Sequence, residues 1–302
     1  MIEINNISKS YKQVQALKNV SFNVNDNELF GVIGPDGAGK TTLFRILTTL
    51  LLSDSGTTRL NGYDPNKDYK KIREIIGYMP GRFSLYQDLS VEENLNFFAT
   101  VFNTTIDENY DLIADIYKQI EPFKKRLAGR LSGGMKQKLA LSCALIHKPE
   151  ILILDEPTTG VDAVSRMEFW QMLKRLQEKN ITILVSTPYM DEASLCDRVA
   201  LIQNGEIMDI NTPEGITKSF PDTLFAVNGK NKFKLMQDLR SFEQANSVFP
   251  FGEYVHFTST NRDLKLDDLK NYLTNNGNEQ VEVKIENPNI EDCFMNLMEN
   301  EQ

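Results

Sequence analysis

The stretch GPDGAGKTT runs from Gly34 through Pro35, Asp36, Gly37, Ala38, Gly39, Lys40 and Thr41 to Thr42, and it fits the pattern G-x-x-x-x-G-K-[ST] in full. Glycines at its turns let main-chain N–H groups close around phosphate oxygens. Lys40 can then reach β- and γ-phosphates, and the Thr41 hydroxyl can ligate Mg2+. Such a loop needs a strand before it and a helix after it, and LFGVIG and TTLFRIL supply both patterns. A second run, ILILDEP (Ile151 to Pro157), is apolar up to two carboxylates. A strand ending there sets Asp155 beside the phosphate loop to orient the Mg2+ shell, through water. Glu156 then faces the γ-phosphate as general base for an attacking water. Taken singly, the two segments read as a Gly-rich turn and a solvated Asp-Glu pair; together they predict ATP and Mg2+ as ligands.

A third segment makes the reading specific. LSGGMKQKLAL (Leu131 to Leu141) places Ser132, Gly133 and Gly134 at the opening of a helix, where N–H groups and the helix dipole form an anion site. In this order, just upstream of ILILDEPTTGVD, the chain resembles the ATP-binding cassette (ABC) family over roughly residues 1 to 218. The resemblance implies a P-loop NTPase cassette: a RecA-like α/β core with antiparallel β and helical subdomains, the helical one over about 84–148. It also implies a second ABC cassette packed head to tail, so that Ser132–Gly134 of one chain meet the γ-phosphate held by the other. Tyr11 matches the aromatic that stacks on adenine, and Asp162 the acidic residue that bridges two cassettes. The segment from about Ser84 to Arg130 matches the part that meets a membrane permease. The ending NIEDCFMNLME looks like the appended domain of cassettes serving drug- and polysaccharide-type exporters.

Two positions depart from the family pattern. Gly81, in IGYMPGRFSLYQ, stands where the family usually has a glutamine that touches Mg2+, with Gln87 six residues on. Pro188, in STPYMDEA, stands where the family usually has a histidine that donates to the γ-phosphate. Proline has no side-chain donor and no N–H, yet it suits the first turn of a helix. The expectation is a local fold that survives and a hydrolysis site that is handicapped. His147, in ALIHKPEIL, reads as a surface or packing histidine rather than a substitute.

The elements that must position these residues follow from apolar runs at Leu29–Ile33, Ile151–Leu154, Ile181–Val185 and Val199–Ile202, with helical stretches between them. That alternation predicts an α/β domain with a mostly parallel sheet, ending in a type I′ hairpin at Asn204-Gly205. From about Pro221 the texture changes to strand, helix, two strands around Gly252, helix, strand and a final helix. This order is compatible with a small split-βαβ α+β domain over 221–302, in which His256 reads as a packing residue.

Bulk properties limit the function. The 302 residues carry 33 Lys+Arg against 42 Asp+Glu, a net charge of −9, which disfavours a nucleic-acid partner. Cys143, Cys196 and Cys293 are widely spaced and read as reduced thiols. No stretch has the length and apolarity of a membrane span. Together with these properties, the ABC resemblance implies a protein that is cytoplasmic, peripheral on the inner membrane face through permease subunits, and an ATPase that powers them, with export the expected direction. A regulatory cassette that turns over little and lends its signature to a competent partner is the alternative. Homodimer and heterodimer both remain open.

Overall fold

The computed structural model describes residues 1–81 and 85–300. The start of the expected helical subdomain, Ser84, lies outside them. The chain divides into two compact units, Met1–Pro213 and Glu214–Gln302, the first ending short of the sequence-based limit at 218.

In the first unit the elements run β1 (Ile2–Tyr11), β2 (Val14–Val24), β3 (Leu29–Ile33), α1 (Lys40–Leu47), β4 (Ser55–Leu60), α2 (Tyr69–Ile75) and β5 (Ile76–Met79). They continue with α3 (Val91–Val101), α4 (Ile106–Tyr117), α5 (Gly133–Leu145), β6 (Ile151–Asp155), α6 (Ala163–Glu178), β7 (Thr182–Thr187), β8 (Arg198–Gln203) and β9 (Glu206–Asn211). The main sheet has the order β5-β6-β7-β3-β8-β9. Its first five strands are parallel and β9 is antiparallel. Every residue of β3, β6 and β7 is buried. This is why their sequences read as continuous apolar runs, since a parallel strand covered on both faces has no solvent side to alternate with.

A separate antiparallel sheet, β2-β1-β4, shares one apolar core with α1 and the main sheet through Ile4, Leu17, Leu43, Phe44, Ile153 and Leu184. The turn between β8 and β9 has Asn204 at φ +49° and Gly205 at φ +81°, the two left-handed positions that a type I′ hairpin requires. Gly205 also lies so close to the β2 backbone that a Cβ would sit 2.7 Å from Ala16 O. The hairpin expectation holds.

Helices α3, α4 and α5 form the helical part of this unit. Ser90 and Thr105 each cap a helix by accepting from the N–H three residues on, with Glu93 and Glu108 returning the bond, the reciprocal box that satisfies two free donors. Asn94 is fully buried. Its side chain accepts from Tyr86 N–H at 2.9 Å and donates to Ser90 O at 2.9 Å, pinning residues 86–90 to α3.

In the second unit α7 (Pro213–Lys218), which begins at the division, precedes β10 (Leu224–Asn228), α8 (Lys232–Arg240), β11 (Ala245–Phe251), β12 (Tyr254–Ser259), α9 (Leu266–Asn275), β13 (Glu282–Glu286) and α10 (Ile290–Asn300). The sheet order β11-β12-β10-β13 is antiparallel throughout. That is the split-βαβ arrangement expected from the order of elements. Phe225, Val255 and Phe257 pack with Leu235, Leu239, Leu269 and Leu273 of α8 and α9. His256 faces the other side and does more than pack. Its Nδ1 lies 2.6 Å from Asp292 Oδ1 of α10, and both groups are buried. The sequence could not reveal this pair because its members are far apart in the chain.

Replacing the buried Asn94 with alanine leaves the part-buried Tyr86 N–H without its acceptor, a loss of about 2 kcal/mol. The melting transition of the first unit should fall by roughly 4–8 °C, as calorimetry would register. An unchanged transition would show that these bonds do not hold residues 86–90.

Candidate active site

The sheet brings the three chemical segments to one edge. Strand β7 lies between β3, which leads into the phosphate loop, and β6, which ends in the carboxylates. Ile33 is level with Thr187, and Asp155 is level with Ser186. All three strands therefore stop at one height, as ligand sites in open parallel sheets require. Gly34 N–H donates to Thr187 O at 3.2 Å, which anchors the loop's first residue to β7.

Loop shape comes from glycine where no other residue fits. Gly39 has φ +106°, and a Cβ there would lie 2.4 Å from Ala16 O; at Gly34 it would lie 2.1 Å from Ile202 O. Gly37 has φ +82° and open space beside it. Helix α1 begins at Lys40 with no side-chain cap on Gly39 and no acidic residue in its first turn, which leaves a helix N-terminus suited to an anion. Lys40 is 3% exposed. Its ammonium donates to Gly34 O at 2.7 Å and Pro35 O at 2.9 Å, and lies 3.2 Å from Glu156 Oε1. A buried cation inside a collar of glycine backbone, with carboxylates across from it, fits a phosphate chain and a divalent cation on chemical grounds.

Asp155 is buried and accepts from the Ser186 hydroxyl at 2.7 Å. Glu156 has φ +48°, a left-handed conformation that costs a residue with a Cβ about 1–2 kcal/mol. Strain of that kind persists only where surroundings impose it, and here the Glu156 N–H is held by Ser186 O at 3.1 Å and Ser186 Oγ at 2.9 Å. Next to Asp155, the Tyr78 hydroxyl is pushed up to about 12 by burial and then by the Asp155 charge.

The departures from the family pattern lie at this edge too. A Cβ on Gly81 would be 3.2 Å from Asp155 O and 3.9 Å from Glu156 Cβ, so position 81 borders the carboxylates and offers no side chain. Gln87 is engaged elsewhere: its main-chain carbonyl accepts from Gly129 N–H at 2.9 Å and its side-chain amide donates to Leu85 O at 3.3 Å. Pro188 does not open a helix as expected. The turn after it is a 3₁₀ helix over Met190–Leu195 with Tyr189 at its N-cap, so Pro188 precedes the cap. The segment is fixed instead by buried Glu192, which accepts from Thr158 Oγ1 at 3.0 Å and Arg166 Nε at 3.0 Å, and from Thr187 Oγ1. Sequence reading passed over Glu192, and nothing local distinguishes it from a surface glutamate.

The remaining expected residues sit apart from the phosphate loop in sequence but in defined places. Tyr11 ends β1 at the hairpin to β2 and is 43% exposed. Ser132 is the N-cap of α5 and accepts from Met135 N–H at 3.3 Å. Gly133 and Gly134 form that helix's first turn. Asp162 caps α6 by accepting from Ser165 N–H at 3.0 Å, and the Ser165 amide and then its hydroxyl lower the Asp162 pKa. His147 Nε2–H donates to Ile76 O at 2.9 Å and the ring stacks on Phe102, with burial lowering its pKa. It packs in a groove of about 390 Å3 lined by Tyr78, Met79, Pro80, Leu85 and Phe98, not at the carboxylates. The three cysteines are buried thiols. Among the described residues no helix is long and apolar enough to cross a membrane.

Residues 17–159 match the model of the ABC transporter family. The chain is 35% identical over 304 residues to "Probable multidrug ABC transporter ATP-binding protein YbhF" of Escherichia coli, covering 99% of this chain and 52% of that protein. It thus spans about half the length of that curated relative. It is 31% identical over 306 residues to "Linearmycin resistance ATP-binding protein LnrL" of Bacillus subtilis, covering 98% of each. Among solved structures, the ATP-binding cassette MJ0796 in a dimeric post-hydrolysis state with ADP and Pi superposes with a TM-score of 0.64 at 27% identity, covering 70% of this chain and 98% of that one.

Lys40→Ala removes the cation inside the glycine collar and leaves Glu156 without that ion pair. Titration with a fluorescent ATP analogue should show affinity lower by ~100-fold, the upper range for a hydrogen-bonded charge. Undiminished binding would mean that nucleotide is held elsewhere.

Proposed function

The chain belongs to the ABC transporter ATP-binding family, and from that premise we propose that it is the ATP-hydrolysing subunit of an exporter, acting on a separate membrane permease. The observation that carries this reading is the approach of Lys40 Nζ to Glu156 Oε1, 3.2 Å, at the ends of parallel strands. Residues 1–218 make up the nucleotide-binding domain and 221–302 a small α+β domain. Gly34–Thr42 cradle the phosphates and Tyr11 lies against adenine. Thr41 and Asp155 would hold Mg2+, which would supply charge neutralisation to the phosphates when bound. Glu156 takes a proton from the attacking water as its oxygen bonds to the γ-phosphorus and the bond to the β-phosphate oxygen breaks, giving ADP and phosphate. Ser132, Gly133 and Gly134 complete the site of a second cassette, and the groove beside α3 receives the permease. The protein then works at the cytoplasmic face of the membrane.

Gly81 and Pro188 favour a second reading for the chain's own site. With no side chain at one position and no donor at the other, water placement loses support. Loss of one transition-state donor costs on the order of 10²–10³ in rate. Against a median turnover of about 10 s⁻¹ this leaves roughly 0.01–0.1 s⁻¹. A chain of this kind serves as a slow, ATP-holding cassette that lends an intact signature to a competent partner.

Steady-state ATPase assays test both readings. The purified chain should turn over in that slow range, and Glu156→Gln should remove the residual activity. In the assembled transporter, Ser132→Arg should abolish most turnover while Glu156→Gln leaves much of it. Several turnovers per second from the isolated chain would contradict a handicapped site, and equal loss from both variants would establish two equivalent sites.

A further inference from the structure

Ser186 is fully buried at the end of β7, and no nucleotide-binding pattern assigns it a part. Two other buried hydroxyls of the same unit show the local alternative. Ser142 Oγ donates to Lys138 O at 2.9 Å and Thr48 Oγ1 to Phe44 O at 2.8 Å, each four residues back along its own helix. The Ser186 hydroxyl instead bridges two residues about thirty positions away. It donates to Asp155 Oδ1 at 2.7 Å and accepts from Glu156 N–H at 2.9 Å. Its own carbonyl shares that same N–H at 3.1 Å.

One serine therefore touches a carboxylate and the backbone of its neighbour at once. The single O–H is committed to Asp155, which fixes the direction of the other Asp155 oxygen. The Glu156 amide is gripped by two oxygens of one residue, which accounts for a φ of +48° where side chains with a Cβ rarely sit. Because Asp155 and Ser186 are level across parallel strands, both bonds are short without displacement of either strand. The next residue, Thr187, accepts from Gly34 N–H through its carbonyl at 3.2 Å, so the same strand end also sets the phosphate loop.

We infer that Ser186 is a positioning residue that holds the Mg2+-facing carboxylate of Asp155 and the left-handed backbone of Glu156 as one unit. The inference rests on the nucleotide-site reading given above. Its chemical content is specific. The hydroxyl acts on the divalent cation through Asp155 and on the attacking water through the direction of Glu156. It does not act on the adenine or on the phosphate cradle. A serine that only filled space would affect stability and leave both of these functions alone.

The test compares the full-length wild type with Ser186→Ala. Manganese titration of the ADP-bound protein, followed by electron paramagnetic resonance, reads the metal site without turnover. Outer-shell substitutions cost about 10- to 100-fold in metal affinity or activity. The variant should therefore bind Mn2+ about tenfold more weakly and lose about tenfold or more in kcat. Its affinity for a fluorescent ATP analogue without metal should stay within about twofold of the wild type, since Lys40 and the loop are untouched. If Ser186→Ala does not fold, as judged by circular dichroism, Ser186→Cys keeps the volume with a far weaker hydrogen-bonding group and is compared in the same way. Unchanged Mn2+ affinity and kcat in a folded variant would overturn the inference while the nucleotide-site reading stands. A wild type that binds no nucleotide would overturn both.

Discussion

The arrangement depends on one constraint: β7 must end level with the strands on either side of it. Its last two residues bond to both neighbours, Ser186 to Asp155 and Glu156, and Thr187 to Gly34. A parallel ladder has an even spacing of slanted bonds, so one slipped residue would carry the serine hydroxyl to the opposite face. The Asp155 carboxylate would then lose this donor, the Glu156 N–H its hydroxyl acceptor, and the phosphate loop its anchor. The burial of all three strands enforces the register, because a shift would also expose apolar residues.

Electrostatics follow from that geometry. Lys40 is almost fully enclosed, its charge answered by two loop carbonyls and by Glu156. A buried cation is tolerated only when paired and hydrogen-bonded, and this one is paired in a way that a phosphate chain can take over. The left-handed backbone at Glu156 and the glycines at Gly34 and Gly39 are local costs accepted at the site. The wider sheet and its apolar core compensate for them. Further out, Glu192 ties Thr158, Thr187 and Arg166 together, so the segment holding Pro188 keeps its shape without a helix starting there.

Much of this was legible in the chain itself because the signals were local. The phosphate loop, the DEP carboxylates and the Ser-Gly-Gly helix start are contiguous patterns, and buried parallel strands announce themselves as unbroken apolar runs. The Asn204-Gly205 turn and the order of elements after Pro221 were legible for the same reason. What escaped was set by long-range pairing. Nothing in STPYMDEA says that Ser186 lies level with Asp155, that Glu192 is buried rather than exposed, or that the turn is 3₁₀ and begins after Tyr189. His256 looked like packing because its partner, Asp292, belongs to the last helix.

The central claim is that nucleotide and metal are held where the ends of β3, β7 and β6 meet. Hydrogen exchange of the full chain, with and without a non-hydrolysable ATP analogue and Mg2+, tests it most directly. Stable occupancy should slow exchange of the amides at residues 34–42 and at Asp155, Glu156 and Thr187, because those groups take part in or border the cradle. Slowed exchange confined to other parts of the chain, with residues 34–42 unaffected at saturating nucleotide, would contradict the account.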